Sequence, residues 1–256
     1  MKQIPNIFTL FNLFLGSVAI VMALQTETVM INVNEEDISS FNIPESIVFA
    51  GLLIFAAALV DFLDGFVARM LKATSEMGKQ LDSLSDVVSF GVAPGVILYQ
   101  LLRFGYLREE NSLDISIYWL MPAFIYSCAG AYRLARFNLD QSQQYGFKGV
   151  PIPAAGLLVA SFPLILHFGN PLLNINDIII NKWFLYTVII LLSWLMVSRL
   201  PLMALKFTDY SFKHNREKYI LLGIALIAGI LLHWLAVPVV FIVYIVLSLF
   251  HKERAI

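Results

Sequence analysis

Residues 61–86 read DFLDGFVARMLKATSEMGKQLDSLSD and lie between two long apolar runs. Spacings of three and four residues place two aspartates on one face of a helix that ends here, and two more on one face of the helix that follows. These residues are Asp61, Asp64, Asp82 and Asp86. The polar segment between the two pairs predicts a turn at the membrane surface. Two neighbouring helices therefore direct four carboxylates at one place.

Four clustered carboxylates at the edge of a membrane need cations beside them. An aspartate at the centre of a span costs about 2.5–3.5 kcal/mol on insertion scales, and like charges repel one another. No cysteine or histidine lies within residues 61–86, so this stretch offers carboxylate oxygen to a metal. Oxygen ligands suit hard divalent cations, and four carboxylates are enough to bridge two of them. The alternative is a solvated loop whose acids pair with Arg69, Lys72 and Lys79.

The composition predicts a polytopic membrane protein. Of the 256 residues, 59% are hydrophobic and 14% are charged, whereas soluble domains carry roughly a quarter charged residues. The net charge is −1 and there is no dense basic tract, so we expect no nucleic-acid partner. A single cysteine, Cys128, rules out an intrachain disulfide framework.

Apolar runs separated by polar breaks predict an all-α bundle of about eight transmembrane helices in a single domain, residues 1–256. The predicted spans cover residues 5–25, 46–70, 84–104, 117–137, 153–169, 178–198, 218–232 and 235–250. The last two could instead form one helix, but residues 219–250 would then measure about 48 Å, more than a bilayer core of about 30 Å. His233, Trp234 and Pro238 favour a turn between two short helices.

The distribution of basic residues predicts the orientation of this bundle, because cytoplasmic loops carry an excess of lysine and arginine. With both termini in the cytoplasm, only Arg103, Arg108 and Lys182 of the 17 basic residues fall on the outer side. Residues 26–45, which follow the first span, contain several acids and no lysine or arginine, as expected of an outer loop. The aspartate cluster then faces the cytoplasm.

The same stretch resembles the signature of the CDP-alcohol phosphatidyltransferase family, D-x-x-D-G-x-x-A-R-(x8)-G-x-x-x-D-x-x-x-D. Every fixed position is matched, by Asp61, Asp64, Gly65, Ala68, Arg69, Gly78, Asp82 and Asp86. The resemblance implies a metal-dependent phosphotransferase with two divalent cations, Mg²⁺ or Mn²⁺, in each active site. It implies that all four aspartates hold metal, and that Asp86 also takes the proton from the acceptor hydroxyl. The cytidine nucleotide is implied to bind beside Gly65, Ala68, Arg69 and Gly78.

Further stretches bear on the alcohol that accepts the phosphatidyl group. RLARFN at 133–138 and FKGVPIPAA at 147–155, with IPNIFTLFNLFLGSVAI near the N-terminus, resemble the phosphatidylserine synthase branch of the family. This resemblance implies CDP-diacylglycerol and L-serine as substrates, and phosphatidylserine and CMP as products. The serine carboxylate needs a cationic partner, and the planar fork of arginine suits it. The candidates for the acceptor site are Arg133, Arg136, Asn138 and Lys148, although basic residues here also fit ordinary cytoplasmic membrane anchors.

Two alternatives stay open on the sequence alone. Within the family, glycerol 3-phosphate or an inositol compound could be the acceptor, since a phosphorylated acceptor also needs arginine. Outside it, intramembrane acids are typical of a divalent-cation transporter, but later spans such as FLYTVIILLSWLMV lack acids at their midplane. We expect a protein of the lipid bilayer with its active site on the cytoplasmic side of a bacterial inner membrane, able to form a homodimer.

Overall fold

The computed structural model describes residues 4–25, 43–71, 75–108, 115–139, 147–170, 173–203 and 215–250. Most of these residues are helical. The helices are α1 (Ile4–Leu24), α2 (Glu45–Met70), α3 (Glu76–Asp86), α4 (Ala93–Leu107), α5 (Ala123–Leu139), α6 (Ile152–Phe168), α7 (Asn176–Ile180), α8 (Lys182–Val197), α9 (Arg216–Leu232) and α10 (Ala236–Phe250). Two strands of two residues each, β1 (Phe147–Lys148) and β2 (Pro201–Leu202), pair antiparallel.

Several helical stretches have the length and apolar character needed to cross a membrane. Four of the described stretches are long and apolar enough: Pro5–Leu24, Glu45–Met70, Glu76–Leu107 and Arg216–Phe250. The last of these contains both α9 and α10. Helices α6 and α8 are equally apolar but shorter. The predicted class, a helical integral membrane protein, is confirmed, whereas the number of eight spans stays a prediction.

The third span differs from the prediction because its first two turns are polar. Apolar residues predicted a span over 84–104, but the helix begins at Glu76. Ser75 caps it, and its hydroxyl accepts a hydrogen bond of 3.0 Å from the backbone N–H of Gly78. A π-helical segment, Val87–Val92, joins α3 to α4 without a break. Asp82 and Asp86 therefore lie within one long helix, just before its π-helical segment.

The C-terminal stretch forms two helices, as predicted from its length. A 3-10 turn, His233–Leu235, separates α9 from α10, and His233 has a positive φ of 50°. Helices α9 and α10 pack against each other, so the chain reverses at this turn. The turn is held by Asn170, whose side-chain nitrogen donates a hydrogen bond of 2.9 Å to the carbonyl of Leu232.

Two predicted spans are shorter than expected for local reasons. Residues 117–137 were predicted as one span, but Ile117–Trp119 form a separate 3-10 turn and α5 begins only after Pro122. Residues 178–198 are divided by Asn181, whose side-chain oxygen accepts hydrogen bonds from the N–H groups at the start of α8. An asparagine in this position is a typical helix N-cap.

The ends of the long helices lie at two opposite sides of the bundle. We call the side that holds the aspartates the signature end. There, hydrogen bonds join the start of α1 to the end of α2, and the end of α5 to α3 and α8. At the other side, the end of α1 bonds to α4, and the region before α5 bonds to α8. Consecutive long helices therefore run in alternating directions.

The apolar core lies around α4 and α6, which are the most completely buried helices of the described chain. Helix α4 contacts α1, α2, α5, α6 and α8. Helix α9, in contrast, buries only Leu221 and Ala228 completely. Most of the predicted outer segment 26–45, and all of residues 204–214, lie outside the described residues.

Candidate functional site

A cleft of about 710 Å³ opens at the signature end between α1, α2 and α3. Seven of the eight signature residues line it: Asp61, Asp64, Gly65, Ala68, Arg69, Gly78 and Asp82. Phe62 of α2 and residues of α1 and of the start of α3 complete the wall; the latter are Pro5, Asn6, Thr9, Ser75, Glu76 and Lys79. The structure therefore brings the predicted metal and nucleotide residues together around one space.

Three carboxylates converge on this cleft, as the helical spacing predicted. One oxygen each of Asp61, Asp64 and Asp82 lies within 4.8 Å of the other two. Asp86 is buried one turn beyond Asp82 and lies within hydrogen-bond reach of Asp61. Its Oδ1 atom has no hydrogen-bond partner among the described residues. A buried carboxylate oxygen without a partner is costly, and a cation is the kind of ligand that satisfies it.

Basic side chains do not neutralise this cluster within the described residues. No described lysine or arginine forms an ion pair with these aspartates, although Arg69 and Lys79 line the same cleft. Lys72 lies outside the described residues. The structure therefore does not support the alternative of a solvated loop whose acids pair with Arg69 and Lys79. The oxygen-only ligand set fits a hard divalent metal ion.

The two signature glycines have different surroundings. A Cβ atom at Gly65 would meet no heavy atom within 4 Å, so this backbone borders open space in the cleft. A Cβ atom at Gly78 would lie 3.1 Å from the side-chain oxygens of both Asn6 and Ser75. Gly78 thus allows the start of α3 to approach α1, and Gly65 leaves room for a ligand.

Helix α1 contributes polar residues that the sequence analysis did not assign to the site. Thr9, which is buried, donates a hydrogen bond of 2.8 Å to Oδ2 of Asp64. Its carbonyl accepts a hydrogen bond of 3.0 Å from Ser85, which lies beside Asp86. Asn6 and Thr9 are spaced as one face of a span that is mostly apolar. Polar residues on one face of a membrane helix are a signal that could have identified them.

Arg133 does not line the cleft, and it lies on α5, which packs against the π-helical segment that follows Asp86. The residue is only 4% exposed, and its charge interacts with that of Asp86, although the two form no ion pair. The guanidinium carbon lies 5.9 Å from the ring centre of Phe137, and Nε has no hydrogen-bond partner among the described residues. A buried cation of this kind needs an anionic or acceptor group beside it.

The other acceptor-site candidates are engaged with the protein itself. Arg136 donates hydrogen bonds to the carbonyls of Val197 (2.6 Å), Ser198 (2.9 Å) and Lys148 (3.3 Å). It therefore ties the end of α8 to β1. Asn138 donates a hydrogen bond of 2.8 Å to the hydroxyl of Ser83. The structure places these residues at the signature end, and Arg133 is the one of the four candidates that is buried.

Known proteins of similar sequence point to the same chemistry. Residues 2–196 match the CDP-alcohol phosphatidyltransferase family. The CDP-diacylglycerol–serine O-phosphatidyltransferase of Helicobacter pylori (strain 26695) is 36% identical over 203 residues, which are 77% of this chain and 70% of that protein. The enzymes of the same name from Bacillus subtilis and Methanocaldococcus jannaschii are 39% and 42% identical. Those two matches span 47% and 45% of this chain, and 66% and 50% of the relatives' own length.

The match and the geometry agree on the aspartate cluster. The family match includes residues 61–86, and the cleft is lined by the residues of that signature. The relatives also bear the name of the branch that RLARFN and FKGVPIPAA resemble. The chain belongs to the CDP-alcohol phosphatidyltransferase family, as its signature predicted.

Proposed function

We propose that this chain transfers the phosphatidyl group of CDP-diacylglycerol to the hydroxyl of L-serine, giving phosphatidylserine and CMP. The observation that carries this proposal is the position of Asp86. It is buried one turn beyond Asp82, and its charge interacts with that of the buried Arg133, although the two form no ion pair. A nucleotide lipid held at the carboxylates and an amino acid held at the arginine would meet there. The names of the relatives support the same reaction.

We assign two divalent cations, Mg²⁺ or Mn²⁺, to the four signature aspartates. Asp61, Asp64 and Asp82 offer oxygens to one position, and Asp86 adds a carboxylate beside Asp61. When bound, such cations neutralise the pyrophosphate and the departing CMP. Both ions prefer oxygen ligands, which is all that these side chains provide.

The nucleotide binds in the cleft between α1, α2 and α3. Gly65 borders its open space, and Ala68 keeps the same face of α2 free of bulky side chains. Arg69 adds a planar cation suited to phosphate, and Gly78 lets α3 approach α1. These residues hold and orient the CDP group, whereas the apolar surfaces of the helices accommodate the acyl chains.

Asp86 acts as the general base. It accepts the proton from the serine hydroxyl while the hydroxyl oxygen forms a bond to the phosphatidyl phosphorus. The bond between that phosphorus and the bridging pyrophosphate oxygen breaks, and its electron pair leaves with CMP. The burial of Asp86 keeps competing water away from this proton transfer.

Arg133 binds the serine carboxylate, and the other candidates shape the site around it. Arg136 has three backbone carbonyls as partners, so its charge is already stabilised within the fold. Asn138 fixes α5 against α3 through Ser83. Lys148 belongs to β1, whose position Arg136 maintains. Arg133 is the buried one of these groups, and its charge interacts with that of the proposed base.

The bundle crosses the membrane eight times, with both termini and the signature end in the cytoplasm. The α3–α4 stretch counts as one span, and α9 and α10 are two, within one domain of residues 1–256. The small number of basic residues at the end opposite the signature end supports this orientation. Arg108 forms an ion pair of 2.9 Å with Asp177 there, and Lys182 lies 4.8 Å from the ring centre of Tyr106.

Cysteine labelling of intact cells tests this orientation. In a Cys128→Ala background, a membrane-impermeant maleimide should modify Asn174→Cys, because the exposed Asn174 lies at the end opposite the aspartates. Gln80→Cys, also exposed, should react only after the cells are opened. The reverse pattern would place the active site outside. We propose further that the protein is a homodimer of the bacterial inner membrane, which cross-linking in isolated membranes tests.

Measurement of CMP release with separate acceptors tests the proposed reaction. Purified protein with CDP-diacylglycerol and Mg²⁺ or Mn²⁺ should release CMP when serine is added. Glycerol 3-phosphate and inositol should give no more CMP than water does. Release with glycerol 3-phosphate and not with serine would refute serine as the acceptor.

A further inference from the structure

The π-helical segment Val87–Val92 has a physical reason in the sequence. In an α-helix the carbonyl of Phe90 would accept a hydrogen bond from the residue four positions on, but that residue is Pro94, which has no N–H. The proline ring would also clash with this carbonyl, so the backbone opens here. The N–H of Ala93 accordingly bonds to the carbonyl of Val88, five residues back. The carbonyl of Phe90 therefore needs a donor from another part of the chain.

Tyr126 of α5 supplies this missing donor. Its hydroxyl donates a hydrogen bond of 2.9 Å to the carbonyl of Phe90, and both residues are fully buried. Ser127, the next residue of α5, donates a hydrogen bond of 2.9 Å to the carbonyl of Gly91. A buried carbonyl without a partner is costly, so these two side chains stabilise the π-helical form of the segment.

Two other helices hold the same segment from further sides. Ser89 donates a hydrogen bond of 3.0 Å to the carbonyl of Asn12 in α1. A Cβ atom at Gly16 of α1 would lie 2.7 Å from Cα of Ser89. A Cβ atom at Gly156 of α6 would lie 3.0–3.1 Å from three atoms of Phe90. Glycine permits these close approaches, and the segment is therefore packed tightly between α1, α5 and α6.

The π-helical segment affects Asp86 because Asp86 is the last residue of α3, directly before it. A π-helical turn takes up about one residue more than an α-helical turn, and one residue of an α-helix corresponds to a rotation of about 100°. Closing the segment into an α-helix would therefore turn Asp86 about the helix axis relative to the buried helix α4. Oδ1 of Asp86 has no hydrogen-bond partner among the described residues, so the backbone decides where this oxygen lies.

We propose that Tyr126 is a positioning residue for Asp86. Its hydroxyl replaces the donor that Pro94 lacks, and the π-helical segment that it stabilises directs the Asp86 carboxylate toward the reacting groups. Tyr126 does not line the cleft, so it acts through the backbone and not on the substrate. This inference rests on the proposed function, which makes Asp86 the general base.

Tyr126→Phe in the full-length protein tests this role, because it removes only the hydroxyl. We expect the kcat for CMP release with serine, counted per CDP-diacylglycerol binding site, to fall about 10- to 100-fold, since a misplacement of about 1 Å has effects of this size. The KM values for serine and CDP-diacylglycerol should stay within twofold of native. Tyr186→Phe is the matched control, because the Tyr186 hydroxyl also donates to a backbone carbonyl, that of Trp119 at 2.6 Å, but at the opposite end of the bundle. It should keep the native kcat.

A second set of measurements separates positioning from a structural role. In an Asp86→Asn background, Tyr126→Phe should cause no further loss of kcat, because the group that it positions no longer accepts a proton. An equal loss in both backgrounds would indicate a general structural effect and overturn the proposal. Native kcat in Tyr126→Phe, with turnover disabled in Asp86→Asn, would overturn it and leave the proposed function intact. Native kcat in Asp86→Asn would refute the proposed base, and this inference with it.

Discussion

Thr9 in α1 donates a hydrogen bond of 2.8 Å to Asp64 in α2, so the first helix supports the carboxylate cluster although it carries no acid. This bond fixes one oxygen of Asp64 and leaves the other to face a ligand. Ser85 in α3 forms a second link to α1, because its hydroxyl donates a hydrogen bond to the Thr9 carbonyl. Groups that orient metal ligands in this way usually change metal affinity or activity 10–100-fold when they are removed.

Thr9→Val should therefore weaken metal binding without removing a ligand. Valine keeps the shape of threonine, so the loss is that of the hydroxyl. We expect activity at subsaturating Mg²⁺ to fall about 10- to 100-fold and to recover in part at saturating Mg²⁺. Mg²⁺ and Mn²⁺ activation curves measure this. Ser17→Ala is the control, because Ser17 bonds only to a carbonyl of its own helix. Identical activation curves for Thr9→Val and native protein would exclude this role.

Removal of a carboxylate from the cluster should have a larger effect. Asp82→Asn keeps the size of the side chain but removes one negative charge from the three that converge. We expect turnover to fall more than about 100-fold, and chelators to abolish native activity until Mg²⁺ or Mn²⁺ is added back. Asp177→Asn, at the opposite end of the bundle, should retain native activity. Full activity in excess chelator would reject the metal site.

The sequence was sufficient to predict the helices that it marks with long apolar runs. Helices α1, α2 and α6 begin and end within one or two residues of the spans predicted at 5–25, 46–70 and 153–169. In the third helix the apolar run marked only residues 84–104, because apolar content does not report the polar turns that Ser75 caps, although the aspartate spacing correctly placed Asp82 on a helix. The π-helical segment was not predicted, since its stabilisation comes from α5. There, Tyr126 and Ser127 donate hydrogen bonds of 2.9 Å to carbonyls of the segment.

Asp86→Asn should separate proton transfer from substrate binding. We expect it to retain CDP-diacylglycerol binding while turnover falls by a factor of about 10²–10⁴, the usual contribution of a general base. Asp61→Asn should instead weaken nucleotide binding, because it removes charge from the metal that holds the pyrophosphate. Binding of a fluorescent CDP-diacylglycerol analogue and CMP release measure the two effects. Equal loss of binding in both variants would contradict a distinct role for Asp86.

The two arginines of RLARFN should respond differently to substitution. Arg133→Ala should raise the KM for serine about 10- to 100-fold, the effect of losing a charge-assisted hydrogen bond. Arg136→Ala should mainly lower the Tm, since it releases the carbonyls of Val197 and Ser198 at the end of α8. Serine kinetics and thermal unfolding of both variants check this. If Arg133→Ala kept native serine kinetics, the carboxylate would bind elsewhere.

The candidate site was predictable where charge and spacing mark it. Four aspartates at helical intervals indicated a metal cluster, and three of them converge in the structure. The sequence could not distinguish Arg133 from Arg136, because their partners come from distant parts of the chain. Arg136 bonds to α8 and β1, whereas Arg133 is buried on α5 and forms no ion pair among the described residues. Thr9 was missed because one hydroxyl hardly changes the apolar character of α1.

The fate of the serine hydroxyl oxygen tests the central claim most directly. Native protein is supplied with CDP-diacylglycerol, Mg²⁺ and serine that carries ¹⁸O in its hydroxyl group, and both products are analysed by mass spectrometry. If the serine oxygen attacks the phosphatidyl phosphorus, phosphatidylserine retains the ¹⁸O and CMP contains none. Phosphatidylserine without the label, or CMP that carries it, would contradict the account.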